Sequence, residues 1–115
     1  MPLDALKSVD NIETMENYLE KVRPPLELRS KIDIGYDIDD QSIILNEIRP
    51  AWDNPAVIRN FGYAKATFVK AKNIWKVFWK RADGNWHSYK PAPSVERLAD
   101  FLKLVEEDKH ACFQR

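Results

Sequence analysis

Residues 63–89 read YAKATFVKAKNIWKVFWKRADGNWHSY, and this stretch decides the fold. Residues 63–70 and 74–81 both alternate between apolar and polar side chains, the period typical of half-buried strands. Ala71-Lys72-Asn73 separates the two runs, and Asp83-Gly84-Asn85 leads to a third short run at residues 86–89. Asp-Gly between alternating segments is a strong hairpin signal. The stretch therefore predicts three consecutive antiparallel strands.

A two-residue turn at Lys72-Asn73 assigns the two faces of the first hairpin. In that register Phe68 faces Val77, Ala66 faces Trp79, and Lys65 lies directly across from Lys80. Like charges in that position are destabilising, so an anion or a neighbouring carboxylate is expected to offset them. The predicted core side carries Ala64, Ala66, Phe68, Trp75, Val77 and Trp79, and the other side carries Lys65, Thr67, Val69, Lys76, Phe78 and Lys80.

The next hairpin allows two registers. A two-residue loop at Asp83-Gly84 places His87 and Tyr89 beside Lys76 and Lys80. A three-residue loop with a bulge moves both to the core side and brings Trp86 out. The sequence leaves both registers open.

Before this stretch, the sequence predicts a helix from about Asp10 to Val22. Its apolar stripe is Ile12, Met15, Leu19 and Val22, with Glu13, Glu16 and Glu20 on a solvated acidic face. Asp10 followed by Glu13 resembles a capping box, and Pro24-Pro25 ends the helix.

Period-two alternation then predicts a strand through Leu28, Ile32, Ile34, Tyr36 and Ile38. A second strand runs from Ile43 toward Ile48, and residues 49–55 are expected to form a loop. The acidic residues between these strands, Asp37, Asp39 and Asp40, are typical of a hairpin tip. They lack the glycine and glutamate of a calcium loop, so no metal site is predicted.

After the strands, Pro91-Ala92-Pro93 closes the sheet, and Ser94 is the expected N-cap of a C-terminal helix. The apolar stripe of that helix is Val95, Leu98, Phe101, Leu102 and Val105. The sequence thus predicts one α+β domain over residues 1–115. Its architecture is a two-layer one, a meander of about five antiparallel strands with an N-terminal and a C-terminal helix packed on one face.

The composition is that of a soluble globular protein: 44% of the 115 residues are hydrophobic and 31% are charged. The zero net charge hides a segregation, because residues 1–58 carry 6 basic and 12 acidic side chains, whereas residues 59–90 carry 8 basic side chains and one acidic. Such asymmetry is a reason to test polyanionic partners. Cys112 is the only cysteine, the N-terminus lacks a signal-peptide pattern, and no segment is apolar enough to span a bilayer. We therefore expect a cytoplasmic location.

Basic side chains around an aromatic on a sheet face are typical of proteins that bind single-stranded nucleic acid. The candidate nucleic-acid or anion-binding residues are Lys65, Lys76, Phe78, Lys80, Arg81 and Trp86. Three alternatives stay open. The lysines can form a plain solvated face, they can contact an acidic protein surface such as the first helix, or the aromatic surface can form a homodimer.

The sequence contains no glycine-rich phosphate loop, nucleophile elbow or zinc motif. His87, His110 and Cys112 are the candidates for an enzyme, as a Cys–His pair or a shared metal site. Cys112 beside Phe113 is also typical of a C-terminal tail that packs against the domain through small and aromatic apolar side chains. We therefore assign no catalytic residue, metal or cofactor, and the balance leans against an enzyme.

Three motifs together resemble the domain-of-unknown-function 3024 family of bacteria. They are residues 64–68 with 75–79, the Trp86-His87-Ser88-Tyr89 segment, and the Arg49-Pro50-Ala51-Trp52 loop, with a similar ending from Asp108 to Phe113. The resemblance implies a small bacterial protein of the cytosol. It implies no reaction, cofactor or catalytic residue.

Overall fold

The computed structural model describes residues 9–113, so the ends of the predicted 1–115 domain lie outside the described residues. The elements are α1 (Val9–Val22), a 3-10 helix (Leu26–Leu28), six strands and α2 (Leu98–Glu107). The strands are β1 (Asp33–Asp39), β2 (Ser42–Ala51), β3 (Asn54–Val69), β4 (Ile74–Lys80), β5 (Trp86–Ser88) and β6 (Ser94–Val95). The strand order is β1-β2-β3-β4-β5, all antiparallel, and β6 also pairs with β4. The predicted α+β meander is confirmed.

Both helices pack on the same face of the sheet. Met15 and Tyr18 of α1 and Phe101 and Val105 of α2 are buried in one cluster with side chains of β2, β3 and β4. The sheet contributes Ile43, Leu45, Ala64, Ala66, Phe68, Trp75 and Val77 to this cluster. The apolar side predicted for the central hairpin is therefore the core side, and the lysines lie on the outer face.

The predicted register of that hairpin is wrong by two residues. Val69 pairs with Ile74, so the turn contains four residues, 70–73, and Asn73 adopts φ 53°. Lys65 consequently pairs with Phe78 and not with Lys80. A slip of two preserves the faces, because side chains alternate with period two. The direct Lys65–Lys80 opposition does not exist in the ladder.

Both predicted helix caps are also wrong. Val9 already belongs to α1, so Asp10 lies inside the helix, where its backbone carbonyl accepts a 2.7 Å hydrogen bond from the Thr14 hydroxyl. Ser94 lies in β6, and Arg97 occupies the N-cap position of α2 without a side-chain cap bond. Val95 belongs to β6 as well, where it pairs with Trp75 of β4.

The connections around β1 to β3 differ from the prediction too. Leu28 lies in the 3-10 helix, and β1 begins only at Asp33. The predicted loop at residues 49–55 is a tight hairpin, in which Ala51 pairs with Asn54 around Trp52 and Asp53. β3 consequently extends over 16 residues. Residues 49–61 form a two-stranded segment that we call the ribbon.

Candidate functional site

The outer face of β3, β4 and β5 brings together five of the six predicted site residues. Lys65 pairs with Phe78, and Lys80 pairs with Trp86. Lys76 shares this face because it lies two residues before Phe78 on the same strand. We call this surface, formed by Lys65, Lys76, Phe78, Lys80 and Trp86, the lysine face. The register of the last hairpin puts Trp86 outside and His87, opposite Trp79, on the core side, as in the second sequence alternative, although the loop spans residues 81–85.

Two ammonium groups share one indole ring on the lysine face. The Lys65 Nζ lies 5.1 Å from the centre of the Trp86 ring and 5.0 Å from that of Phe78, and the Lys80 Nζ lies 5.2 Å from the Trp86 ring. These distances are within the roughly 6 Å reach of a cation–π contact. The Trp86 ring is thus within cation–π reach of both ammonium groups on an open sheet surface.

Trp86 reaches across the sheet to β3 because Gly62 leaves room for it. A Cβ atom at Gly62 would lie 3.1 Å from Trp86 Cζ2 and 3.1 Å from Ile44 Cγ2, closer than ordinary van der Waals contact. Gly62 therefore seats the indole ring. Sequence reasoning missed this residue, although a glycine inside a strand pattern is a signal of close approach.

The electrostatics of the lysine face are uneven. Burial lowers the pKa of Lys65, the nearby charge of Lys80 lowers it further, and the carboxylate of Asp39 opposes both effects. Asp37 and Asp39 are exposed at the β1 edge of the same outer face. Asp37 also accepts a 2.7 Å hydrogen bond from the buried Asn46 amide. The outer face is therefore acidic along β1 and basic across β3 to β5.

Arg81 does not join the lysine face. Its guanidinium carbon lies 5.7 Å from the centre of the Trp79 ring, and Trp79 belongs to the core side of the sheet. There Arg81 lines a cleft of about 290 Å³ with His87, Lys90 and Cys112. Of the predicted set, Arg81 alone is separated from the other residues by the sheet.

The enzyme candidates form no activated nucleophile. His87 and Cys112 line the same cleft, but the His87 Nε2 lies 2.9 Å from Asp83 Oδ2, and the Cys112 thiol contacts the His110 carbonyl oxygen at 3.7 Å. Burial, reinforced by the carboxylate of Asp108, raises the pKa of the Cys112 thiol. A reactive cysteine needs the opposite shift, because the thiolate is the nucleophile.

The Asp83–His87 pair has a structural role in the loop before β5. The backbone N–H of Asn85 lowers the pKa of Asp83, and His87 lowers it further. The N–H of Asn85 donates to Asp83 Oδ1 at 2.8 Å, which closes the turn. The C-terminal segment is held by ring packing, since Phe113 is buried against Tyr89 with ring centres 4.9 Å apart.

Among residues 9–113, no group of three or more histidine, cysteine, aspartate or glutamate side chains is arranged to hold a metal ion. In the same part of the chain, neither α1 nor α2 has the length and apolar character that a membrane crossing requires.

Comparisons with known proteins identify a family but no described function. No curated protein and no solved structure matches the chain. A family model, described as a domain of unknown function (DUF3024), matches residues 3–115, which is essentially the whole sequence. The resemblance seen in the tryptophan-rich strands is thereby confirmed, and the chain belongs to the DUF3024 family.

Proposed function

We propose that the lysine face is a binding surface for a polyanion such as nucleic acid, and that the protein acts as a non-enzymatic binding module. One observation carries the proposal: the ammonium groups of Lys65 and Lys80 lie about equally far from a single indole ring, 5.1 and 5.2 Å from its centre. A phosphate between them would relieve the repulsion that contributes to the lowered pKa of Lys65.

The lysines would bind phosphates, and the aromatic rings would contact bases. Lys65, Lys76 and Lys80 would supply affinity through phosphate contacts and counterion release, without reading sequence. Phe78 and Trp86 are half-buried and present partly open rings between these lysines. Stacking on such rings contributes about 1–3 kcal/mol per base. This favours single-stranded over duplex ligands, because the bases of a strand must be free to stack.

The acidic β1 edge limits the surface. Asp37 and Asp39 are exposed on the same outer face and would repel a phosphate chain that continued beyond β3. The ligand would therefore lie across β3, β4 and β5. The surface would contact about three of its phosphates, one for each lysine. Three contacts to a single strand predict a slope of about −2 for log K against log salt.

The test is fluorescence anisotropy of labelled single-stranded and duplex oligonucleotides at several salt concentrations. The variant carries Lys65→Gln, Lys76→Gln and Lys80→Gln. Its matched control carries Lys31→Gln, Lys103→Gln and Lys109→Gln, which remove the same charge from exposed lysines elsewhere. Circular dichroism checks that both variants are folded.

We expect salt-dependent binding that the lysine-face variant loses and the control keeps. Equal loss in both variants would mean that net charge, and not this surface, is responsible. Binding by neither the wild type nor the control at low salt would overturn the proposal. An acidic protein surface would then be the alternative ligand for these lysines.

We further propose the bacterial cytosol as the setting. A single cysteine in 115 residues agrees with a reducing compartment, in which disulfides are rare. Cell fractionation with an antibody against the protein tests this location. Recovery from the periplasmic or extracellular fraction would contradict it.

A further inference from the structure

A concave surface lies on the core side of the sheet, where β4 ends. It is the cleft of about 290 Å³ whose walls include Trp79, Arg81, His87, Lys90, Pro91 and Cys112. Sites for small molecules have volumes of roughly 300–1,000 Å³, so this cleft is near the lower end of that range. None of these residues belongs to the lysine face, which lies on the opposite side of the sheet. The size of the cleft therefore suits a small molecule and not a polymer.

The charge of the cleft is positive. Arg81 and Lys90 are both exposed in it, and the ion pairs among the described residues involve neither of them. No carboxylate of the described chain lines the cleft. A guanidinium presents a planar fork of donors that matches phosphate oxygens, and an ammonium adds a second charge. A phosphate monoester, with a charge of about −1.5 to −2 at neutral pH, balances both cations, whereas a carboxylate balances only one.

Two carboxylates flank the cleft, and each is held by its own segment of chain. Asp83 accepts hydrogen bonds from the Asn85 N–H at 2.8 Å and pairs with the His87 Nε2 at 2.9 Å. Asp108 accepts a 3.0 Å hydrogen bond from the Phe113 N–H. Both carboxylates therefore fix the walls of the cleft without pairing with its two cations.

One wall of the cleft is apolar. Trp79 is half-buried and Pro91 is exposed, so both leave apolar surface open to the cleft. The Arg81 guanidinium carbon lies 5.7 Å from the centre of the Trp79 ring, at the outer end of the roughly 6 Å range of cation–π contacts. Such a long contact leaves the guanidinium free to turn toward a ligand. The cleft thus places an apolar wall beside two cations.

We propose that this cleft binds a small organic phosphate. Arg81 and Lys90 hold the phosphate group, and a flat apolar part of the ligand packs against Trp79 and Pro91. The site is independent of the polyanion surface proposed above, because the two share no residue. It also gives Arg81 a ligand of its own, on the side of the sheet that the lysines do not reach.

The test is a ¹H–¹⁵N NMR titration of the labelled protein with phenyl phosphate as the probe. The reporter is the indole N–H signal of Trp79, which is assigned by its disappearance in Trp79→Phe. Inorganic phosphate and benzoate are the comparison ligands, because the first lacks the ring and the second carries only one charge. We expect a saturable shift with phenyl phosphate and a Kd about tenfold lower than with either comparison ligand.

Two variants test the proposed contacts. Arg81→Gln and Lys90→Gln should each raise the Kd of phenyl phosphate about tenfold or more, since each removes a hydrogen-bond donor to a charged group. The matched control is Arg59→Gln, which removes the same charge from an exposed arginine of the ribbon. This control and the variant with Lys65, Lys76 and Lys80 changed to Gln should bind as the wild type does. Circular dichroism verifies that every variant is folded.

Four results would contradict the cleft. They are an unmoved Trp79 signal at about 10 mM phenyl phosphate, well above the millimolar range of weak ligands; equal weakening by Arg59→Gln; equal affinity for inorganic phosphate; and loss of binding in the lysine-face variant. The last result would move the phosphate to the outer face and leave the polyanion proposal standing. Conversely, a protein that binds phenyl phosphate in the cleft but no oligonucleotide would keep this inference and refute the other.

Discussion

The two halves of β3 belong to one continuous strand, yet their environments are opposite. Residues 64–69 alternate between buried and half-buried side chains, whereas residues 54–61 are exposed at every position. Both halves pair with β2. Only the second half also has β4 beside it and helices on its inner face, so burial here follows from the neighbours of the strand and not from the strand itself.

The same boundary separates the lysine face from the ribbon. Gly62 lies at the junction, next to a register shift at Leu45 and Asn46 of β2. On one side of it, the lysine face offers charge and aromatic rings held by a supported sheet. On the other side, the ribbon offers backbone groups and apolar side chains without support. A charged ligand therefore suits the first surface.

The largest expected contrast is between an aromatic residue of the core and one of the ribbon. Phe101 of α2 is fully buried, so Phe101→Ala should lower the free energy of unfolding by about 3–5 kcal/mol. Phe61→Ala should cost well under half of that, because Phe61 is 36% exposed and lies outside the buried cluster. The substitution removes mainly the cation–π contact with Arg49, whose guanidinium carbon lies 4.1 Å from the centre of the Phe61 ring. Urea denaturation measures both variants. Similar losses would show that the ribbon is as well supported as the core.

A smaller effect is expected at the junction itself. Gly62→Ala places a methyl group 3.1 Å from the rigid Trp86 ring and from Ile44 Cγ2, and should destabilise the protein by about 1–3 kcal/mol. Displacement of Trp86 should also weaken any binding at the lysine face. Gly35→Ala is the matched control, because its new methyl would meet only the flexible Cδ1 end of Ile48. An equal loss of stability in both variants would contradict the seating role of Gly62.

The faces of the sheet could be predicted from the sequence because they depend only on alternation. Ala66, Val77 and Trp75 were assigned to the core, and the structure buries all three. The register could not be predicted, because a two-residue and a four-residue turn at residues 70–73 satisfy the same alternation. The neighbours of Lys65 changed with the register, while its face did not.

The ribbon was missed for a different reason. Pro50, Pro55 and the sequence Trp52-Asp53-Asn54 carry the composition of a loop, and prolines inside a strand are tolerated only at edges. Residues 54–61 are exposed, so no buried side of this segment imposes a period of two on the sequence. The separation of Arg81 from the lysines was accessible, because Arg81 directly follows Lys80 and alternation places it on the side of Trp79.

The ion pair between Arg23 and Asp33, at the start of β1, makes the stability of the fold depend on pH in the acidic range. Arg23 holds Asp33, the first residue of β1, through bonds of 2.9 and 2.6 Å, and this pairing lowers the pKa of Asp33. A carboxyl whose pKa is lower in the folded state stabilises the fold above its unfolded pKa. That contribution is lost as the pH falls through the folded pKa.

Asp33→Asn should therefore lower the melting temperature at neutral pH, with a difference from the wild type that shrinks toward zero as the solution is acidified. Differential scanning calorimetry across the acidic range measures this. The matched control is Asp53→Asn, which removes an exposed carboxylate from the ribbon turn. A difference that persists at the lowest pH would mean that Asp33 acts through its shape or its bond to the Ile34 N–H, and not through its charge.

The smallest effect is expected from Ile58→Ala in the ribbon, and its dependence on concentration is the informative part. In a dilute, monomeric sample this substitution should change the free energy of unfolding by no more than about 0.5 kcal/mol, as for other exposed positions. If the exposed apolar side chains of the ribbon self-associate, the wild type gains stability with concentration by mass action. The variant should gain less, so the difference between them should widen as the concentration rises. A difference that stays constant from dilute to concentrated samples would place Ile58 outside any self-association surface.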